Sequence, residues 1–210
     1  NTKQLVREVC ESLGDAGIHA QPLHGDMEQR DRDQVLIEFK HLSCNLLVAT
    51  DVAARGLDID DLSAVVNFEL PRNAEVYVHR IGRTRRAGKE GLALSLFADS
   101  ERYKMQGIID YLQRDLEFEA IEQLPQSAER LPLPPFVTLC IAGGRKDKVR
   151  AGDVLGALTG EAGIAGKSVG KITVTDYAAY VAVARDEADR ALGRLLNGKI
   201  KGRKFKVRKL

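Results

Sequence analysis

Two rhythms of hydrophobic and polar positions run along the chain, separated by a stretch that follows neither. In the first, short apolar runs of strand character ("IHAQPLHG", "NLLVAT", "LSAVVNFEL", "GLALSLF") alternate with amphipathic stretches. "DMEQRDRDQVLIEFKHL" sets Val35, Leu36, Phe39 and Leu42 on one helical face, with Asp26 as the expected N-cap and Gln29 three residues on. A helix is predicted to start at Asn73 in "NAEVYVHRI", and another to run from Ser100 to Leu116. Strands alternating with helices predict an α/β fold with a parallel sheet, its ligand loops gathered beyond the carboxyl ends of the strands.

The interruption is "EQLPQSAERLPLPP", which holds four of the six prolines and reads as a linker over 125–135. It divides a parallel-sheet α/β domain, 1–124, from a smaller one, 136–210. The second rhythm then orders its elements β-α-β-β-α-β: "FVTLCIAGG", "AGDVLGALTG", "VGKITVTD", "YAAYVAVA", "RDEADRALGRLL" and "RKFKVRK". That order is the signature of a small ferredoxin-like α+β sandwich. In its last strand, alternation puts Lys204, Lys206 and Arg208 opposite Phe205 and Val207.

Charge sharpens the division. The net +2 hides a balance of −7 over 1–135 and of +9 over 136–210, and the final sixteen residues hold seven basic side chains and no acid. A tail of this kind faces a polyanion. Composition narrows the class: 44% apolar and 30% charged residues fit a soluble globular protein, and no run approaches the roughly 18 apolar residues of a membrane span. The opening "NTKQLVREVC" is polar and lacks an initiating Met, so the chain is expected to be a piece beginning inside a domain, without a signal peptide. Cys10, Cys44 and Cys140 are scattered and form no C-x-x-C, which favours reduced thiols in the cytoplasm over a disulfide framework, and no metal site is expected.

Candidate chemistry concentrates in three loops that follow predicted strands. "HRIGRTRRAG" packs Arg80, Arg83, Arg85 and Arg86 beside two glycines, a density of guanidinium groups that suits phosphate oxygens. "VATDVAARGLDIDD" carries Asp51, Arg55, Gly56 and Asp58 into a polar loop, with Asp51 open between a ligand contact and a loop cap. "HGDMEQRDR" is the third.

With Thr2 of "NTK", these loops resemble the second RecA-like domain of the DEAD-box RNA helicases. The resemblance implies that Thr2, Gly25, Gln29, Arg32 and Thr50 hold the RNA backbone. It also implies that Gly56 and Asp58 meet the ATP ribose, that Arg83 and Arg86 act as arginine fingers, and that His79 and Arg80 couple to the partner domain. At Arg85 the sequence departs from the family, which has a small residue there. The nearest approach to a P-loop, "GEAGIAGKS", has one residue too many between its glycines and leads into a strand, and no D-E-A-D occurs. ATP and Mg2+ are therefore expected mainly on a first RecA-like domain of the same protein. No cofactor is expected in this chain alone, which should be inactive by itself.

The tail order and charge suggest an RNA-recognition motif, but "DYAAYVAV" lacks the basic-Gly start and final aromatic of the usual central strand. Tyr177 falls near one aromatic position. Tyr180 falls near another and is equally a core candidate. Loops thus gain over sheet-face stacking, with Arg145, Lys146, Lys148, Arg150, Tyr177, Lys199, Lys201, Arg203 and Lys204 as the hairpin-binding set. The stretch "TLCIAGGRKDKVRAGDVLGALTGEAGI" with "GKIKGRKFKVR" is similar to the tail of one bacterial group of DEAD-box helicases. That similarity implies a 23S ribosomal RNA hairpin and adjacent helices as ligand, the pre-ribosomal large subunit as partner, and no membrane. An RNA-binding module without enzymatic context and half of a DNA-directed helicase are the competing classes.

Overall fold

A computed structural model describes residues 2–54, 59, 62–84, 91–124, 132–160 and 163–210. The chain forms two compact units, Gly56–Glu129 and Thr2–Arg55 together with Arg130–Leu210.

In the second of these units, helix α1 (Lys3–Asp15) precedes strand β1 (Ala20–Leu23), helix α2 (Gln29–Lys40), strand β2 (Leu46–Ala49) and the short helix α3 (Asp51–Ala54). Thr2 caps α1 by accepting the Leu5 amide, and Val6 is its buried anchor. β1 and β2 pair in parallel, Leu23 beside Ala49, as the strand-helix-strand rhythm requires. The expected cap on α2 is not made. Glu28 occupies the N-cap without a side-chain bond, and Asp26 instead pairs with Lys3, whose hydrogen bond holds the carboxyl below its usual range.

The same unit holds the tail sandwich. Its elements are β5 (Phe136–Ile141), α6 (Ala151–Thr159), β6 (Val169–Val174), β7 (Ala179–Ala184), α7 (Ala188–Asn197) and β8 (Val207–Lys209). They form an antiparallel sheet in the order β6-β7-β5-β8. One sheet face packs on the two helices. Leu139, Ile141, Val181 and Val183 meet Leu158 and Leu195, all at most 3% exposed. Burying each such side chain is worth about 1.5–3 kcal/mol, which is why alternation reads so clearly here. β8 is shorter than its alternation suggests, since residues 204–206 run outside the ladder. Lys206 still accepts the Ala142 amide, and the Phe205 ring lies over Gly143, where any Cβ would collide with it. Arg208 alone of the three alternating basic residues sits within the strand.

The other unit carries strands β3 (Ala64–Asn67) and β4 (Leu92–Ser95), paired in parallel, with helices α4 (Ala74–Ile81) and α5 (Arg102–Leu112). Asn73 caps α4 as expected, accepting the Glu75 amide at 2.7 Å. A small core of Leu70, Tyr77, Met105 and Ile108 joins the two helices.

Candidate RNA and nucleotide interface

Parallel pairing brings the first group of predicted residues to one end of β1 and β2. His24 follows Leu23 and Thr50 follows Ala49, so the register sets them side by side; the Thr50 amide donates to the Leu23 carbonyl at 3.2 Å. Thr50 also caps α3, its hydroxyl accepting the Ala53 amide, and Asp51 opens that helix. Gly25 leaves β1 towards α2, whose first turn carries Gln29 and Arg32. Gln29 donates to Asp33 at 2.7 Å and accepts weakly from Arg32 at 3.4 Å. Two buried nitrogens here, His24 Nδ1 and Arg32 Nε, have no hydrogen-bond partner. A buried donor left unmade costs about 1–3 kcal/mol, so such groups point to a ligand that completes them. For Arg32 an oxygen acceptor such as phosphate fits. Thr2 is exposed, and its hydroxyl serves the α1 cap. His24 stood in the sequence beside the predicted Gly25, but only burial singles it out.

In the unit Gly56–Glu129, the arginine-rich stretch begins at the end of α4. Arg80 donates to Asn67 Oδ1 at 2.9 Å and to the Glu69 carbonyl at 2.8 Å, which gives it a structural task there. His79 is exposed. Arg83 lies just past the helix; its carbonyl accepts the Leu62 amide at 3.1 Å, and its side chain is half-buried. Gly56, Asp58, Arg85 and Arg86 lie outside the described residues.

The tail set separates into a cluster and outliers. Arg145 and Lys146 open a short 3-10 turn whose amides donate to the Thr175 and Asp176 carbonyls, both at 2.9 Å. Asp176 also faces the Arg145 guanidinium at 3.7 Å. This closeness needs Gly144, since any Cβ there would strike the backbone of residues 175–178. Tyr177, 75% exposed, crowns the same turn. Lys148 takes a left-handed backbone, and its carbonyl receives the Lys201 ammonium at 3.2 Å. Lys201 and Arg203 belong to one tight turn closed by Ile200 and Arg203. Arg145, Lys146, Lys148, Tyr177, Lys201 and Arg203 therefore line one loop edge of the sandwich. Arg150 stands at the start of α6, Lys199 beside the α6–α7 groove, and Lys204 is exposed beyond the turn. Sequence reasoning missed Thr175 and Asp176, which seat the basic loop; their signal was the polar "TDY" between two strands. Cations around an exposed aromatic suit a nucleic-acid backbone with an unstacked base.

Among the described residues no cluster of His, Cys, Asp or Glu is placed to hold a metal ion, and no helix is long and apolar enough to cross a membrane. The three cysteines are free thiols.

Comparison with known proteins finds two family matches along the chain. Residues 1–88 match the helicase conserved C-terminal domain family, and residues 138–209 match the DbpA RNA binding domain. Over its whole length the chain is 50% identical to the ATP-dependent RNA helicase DbpA of Escherichia coli (strain K12), covering 46% of that protein. Over 99% of its length it is 35% identical to DbpA of Bacillus subtilis (strain 168), covering 48%. It thus spans about half the length of these curated relatives. Among solved structures, the E. coli DEAD-box protein SrmB bound to the regulator RraA superposes with a TM-score of 0.56 at 37% identity, over 63% of this chain and 78% of that one. A helicase-type first part, a DbpA-type tail and this superposition lead to one assignment: the chain belongs to the DEAD-box helicase family, as a C-terminal part that carries a DbpA-type RNA-binding domain.

Proposed function

We propose that this chain is the C-terminal part of a cytoplasmic ATP-dependent RNA helicase acting on 23S ribosomal RNA during large-subunit assembly. The observation that carries the reading is the succession, within one chain, of a helicase C-terminal match and a DbpA-type RNA-binding match whose basic loop edge surrounds an exposed tyrosine. In this reading residues 1–124 act as the second RecA-like domain, 125–135 as a linker and 136–210 as the RNA-gripping tail.

The tail selects its hairpin through the loop edge, where Arg145, Lys146, Lys148 and Lys201 meet phosphates and Tyr177 stacks on a base. Thr2, Gly25, Gln29, Arg32 and Thr50 grip the backbone of an adjacent strand without reading its sequence. The unpartnered Arg32 Nε is the donor best suited to a phosphate oxygen. A first RecA-like domain of the same protein would hold most of ATP and Mg2+. Gly56 and Asp58 would meet the ribose, while His79 and Arg80 face that domain. Arg83 suits a γ-phosphate because its guanidinium offers five fixed donors and keeps its charge, and Arg86 joins it. Bound ATP would supply the free energy that switches the grip on RNA.

The test is titration of the whole chain with a labelled 23S hairpin from the peptidyl-transferase region, against an unrelated hairpin of equal length, over a salt series. Hairpin-selective binding is expected at every salt concentration. Equal binding to both RNAs with a steep salt slope would reduce the tail to an electrostatic anchor and overturn the ribosomal assignment.

A further inference from the structure

The loop edge of the tail holds one group that does not suit phosphate. Arg145, Lys146, Lys148, Lys201 and Arg203 stand along it, and the Asp176 carboxylate lies among them. The acids of the neighbouring loop have local tasks: Asp147 accepts the Gly144 amide at 3.1 Å, and Asp153 accepts the Arg150 amide at 2.9 Å. The Asp176 carboxylate accepts no hydrogen bond from the described residues. Arg145 Nη1 stands off from it at 3.7 Å, and both side chains are mostly exposed. A solvated pair at that distance does little for the fold. A carboxylate placed here also repels every phosphate that its neighbours attract.

The backbone under Asp176 is nevertheless fixed. Asp176 and Tyr177 are the two central residues of the turn between β6 and β7. The Thr175 amide donates to the Ala178 carbonyl at 2.8 Å, the Ala178 amide to the Thr175 hydroxyl at 3.1 Å, and that hydroxyl to the Ala178 carbonyl at 2.9 Å. The Arg145 and Lys146 amides hold the turn from its other side. Tyr177 is also the aromatic left open in 136–210: Phe205 lies over Gly143, Phe136 lies against Gly170, and Tyr180 is 8% exposed. The sheet face that carries Tyr180 is occupied by a clasp, in which the His41 ring nitrogens lie 2.9 Å from the Thr173 hydroxyl and 3.3 Å from that of Thr138.

We propose that Asp176, Tyr177 and Arg145 form a guanine-reading site. A base stacked on Tyr177 turns its pairing edge to Asp176. A carboxylate only accepts, through two oxygens side by side. Guanine alone of the four bases offers two adjacent donors there, N1–H and the N2 amino group. Adenine and cytosine set a ring-nitrogen acceptor beside their amino group, and uracil flanks its N3–H with carbonyls, so each turns a lone pair on the carboxylate. Guanine O6 adjoins N1 as Arg145 adjoins Asp176, and it takes a guanidinium donor while the remaining donors still face a phosphate. The acid thereby weakens the grip on RNA without an unstacked guanine and strengthens it on RNA that has one. The site rests on the reading that the tail takes an unstacked base at Tyr177, and not on that base belonging to ribosomal RNA.

Labelled hairpins that share one stem and a uridine loop, with a single guanosine, inosine, adenosine or cytidine at the loop centre, test the site in the whole chain. A bidentate base contact discriminates by about tenfold or more, so the guanosine loop is expected to bind at least about tenfold more tightly than the adenosine and cytidine loops. Inosine, which lacks the N2 amino group, should fall between. In Asp176→Asn the guanosine advantage should shrink below about threefold, while affinity for the all-uridine loop holds or rises. Arg145→Lys keeps the charge but loses the fork, and should cut the guanosine advantage by about threefold or more with the all-uridine affinity kept. A carboxylate that only seats the loop would weaken every hairpin alike in Asp176→Asn, and that uniform loss would overturn the site. So would equal binding of the four loops by the native chain, or a guanosine advantage untouched in Asp176→Asn. The 23S hairpin against a scrambled one, titrated in parallel, judges the ribosomal reading separately: that reading can fail with the guanosine advantage intact, and the guanosine advantage can fail with the hairpin still preferred.

Discussion

The Arg80 guanidinium and the Asn67 side chain form a 2.9 Å bond that ties α4 to the end of β3. Asn67 is 2% exposed and spends its own amide on Ser95, so its buried Oδ1 loses this charged donor if the guanidinium is removed. Arg80→Ala is therefore expected to destabilise the chain by about 1–3 kcal/mol without any partner present. Thermal unfolding of the isolated chain checks this. An unchanged midpoint would assign Arg80 to partner coupling alone.

Stability should depend on His41 and on pH. Burial first, and then the positive charge of Lys171, lowers its pKa from 6.5 to about 4. The neutral ring is the one that fits, so the unfolded chain takes up a proton that the folded chain refuses as pH falls through that window. The contribution is whole above pH 6.5 and lost towards pH 4, about 2 kcal/mol of it between pH 7 and pH 5. Urea midpoints at those two values should diverge in the native chain and converge in His41→Asn. Equal divergence in both would place the titration elsewhere.

Arg32 should trade stability for function. Its buried, unpartnered Nε makes Arg32→Met neutral or stabilising by up to about 1 kcal/mol, while RNA-backbone contact is lost. Unfolding and single-stranded RNA binding, measured on the same preparations, should move in opposite directions. A clear loss of stability with RNA affinity intact would remove Arg32 from the interface.

Arg83→Ala, placed in a protein that includes a first RecA-like domain, is expected to lower ATP turnover by about 10³-fold or more and to leave hairpin affinity unchanged. A turnover within tenfold of the native value would exclude a finger role.

Lys146→Ala tests the loop edge by its salt dependence. One lost phosphate contact should reduce the slope of log K against log salt by about one and weaken binding to any RNA, selectivity being kept. An unchanged slope would move the contact to another cation.

The elements that sequence announced are those whose signals are local. Alternation and helical periodicity supplied the tail order, and Asn73 announced α4, because each depends on residues within a few positions. α1 escaped notice despite Thr2 and Val6, since its exposed positions make "NTKQLVREVC" read as merely polar. Asp26 was misassigned as a cap because its partner, Lys3, is 23 residues away. The clasp at His41 had no sequence signal: its partners lie 97 and 132 residues on, and a histidine after a helix looks like any other. At the candidate sites, the basic loop and Tyr177 were legible as composition, whereas the seat made by Thr175 and Asp176 required coordinates. Gly56, Asp58 and Arg86 rest on the family resemblance.

The clasp also bears on how such a tail can travel between proteins. Apart from Tyr180, Phe136 and the Cys140 thiol, the groups that meet where the His41 turn faces the tail sheet are hydroxyls, amides, an imidazole and ions. A surface closed by hydrocarbon would turn sticky when transplanted, but one closed by hydroxyls is met by water and stays dispersed. The sandwich is thus pre-adapted as a graft. Joined to a different carrier it should remain in solution, and a new host needs only a helix with a matching polar stripe to seat it.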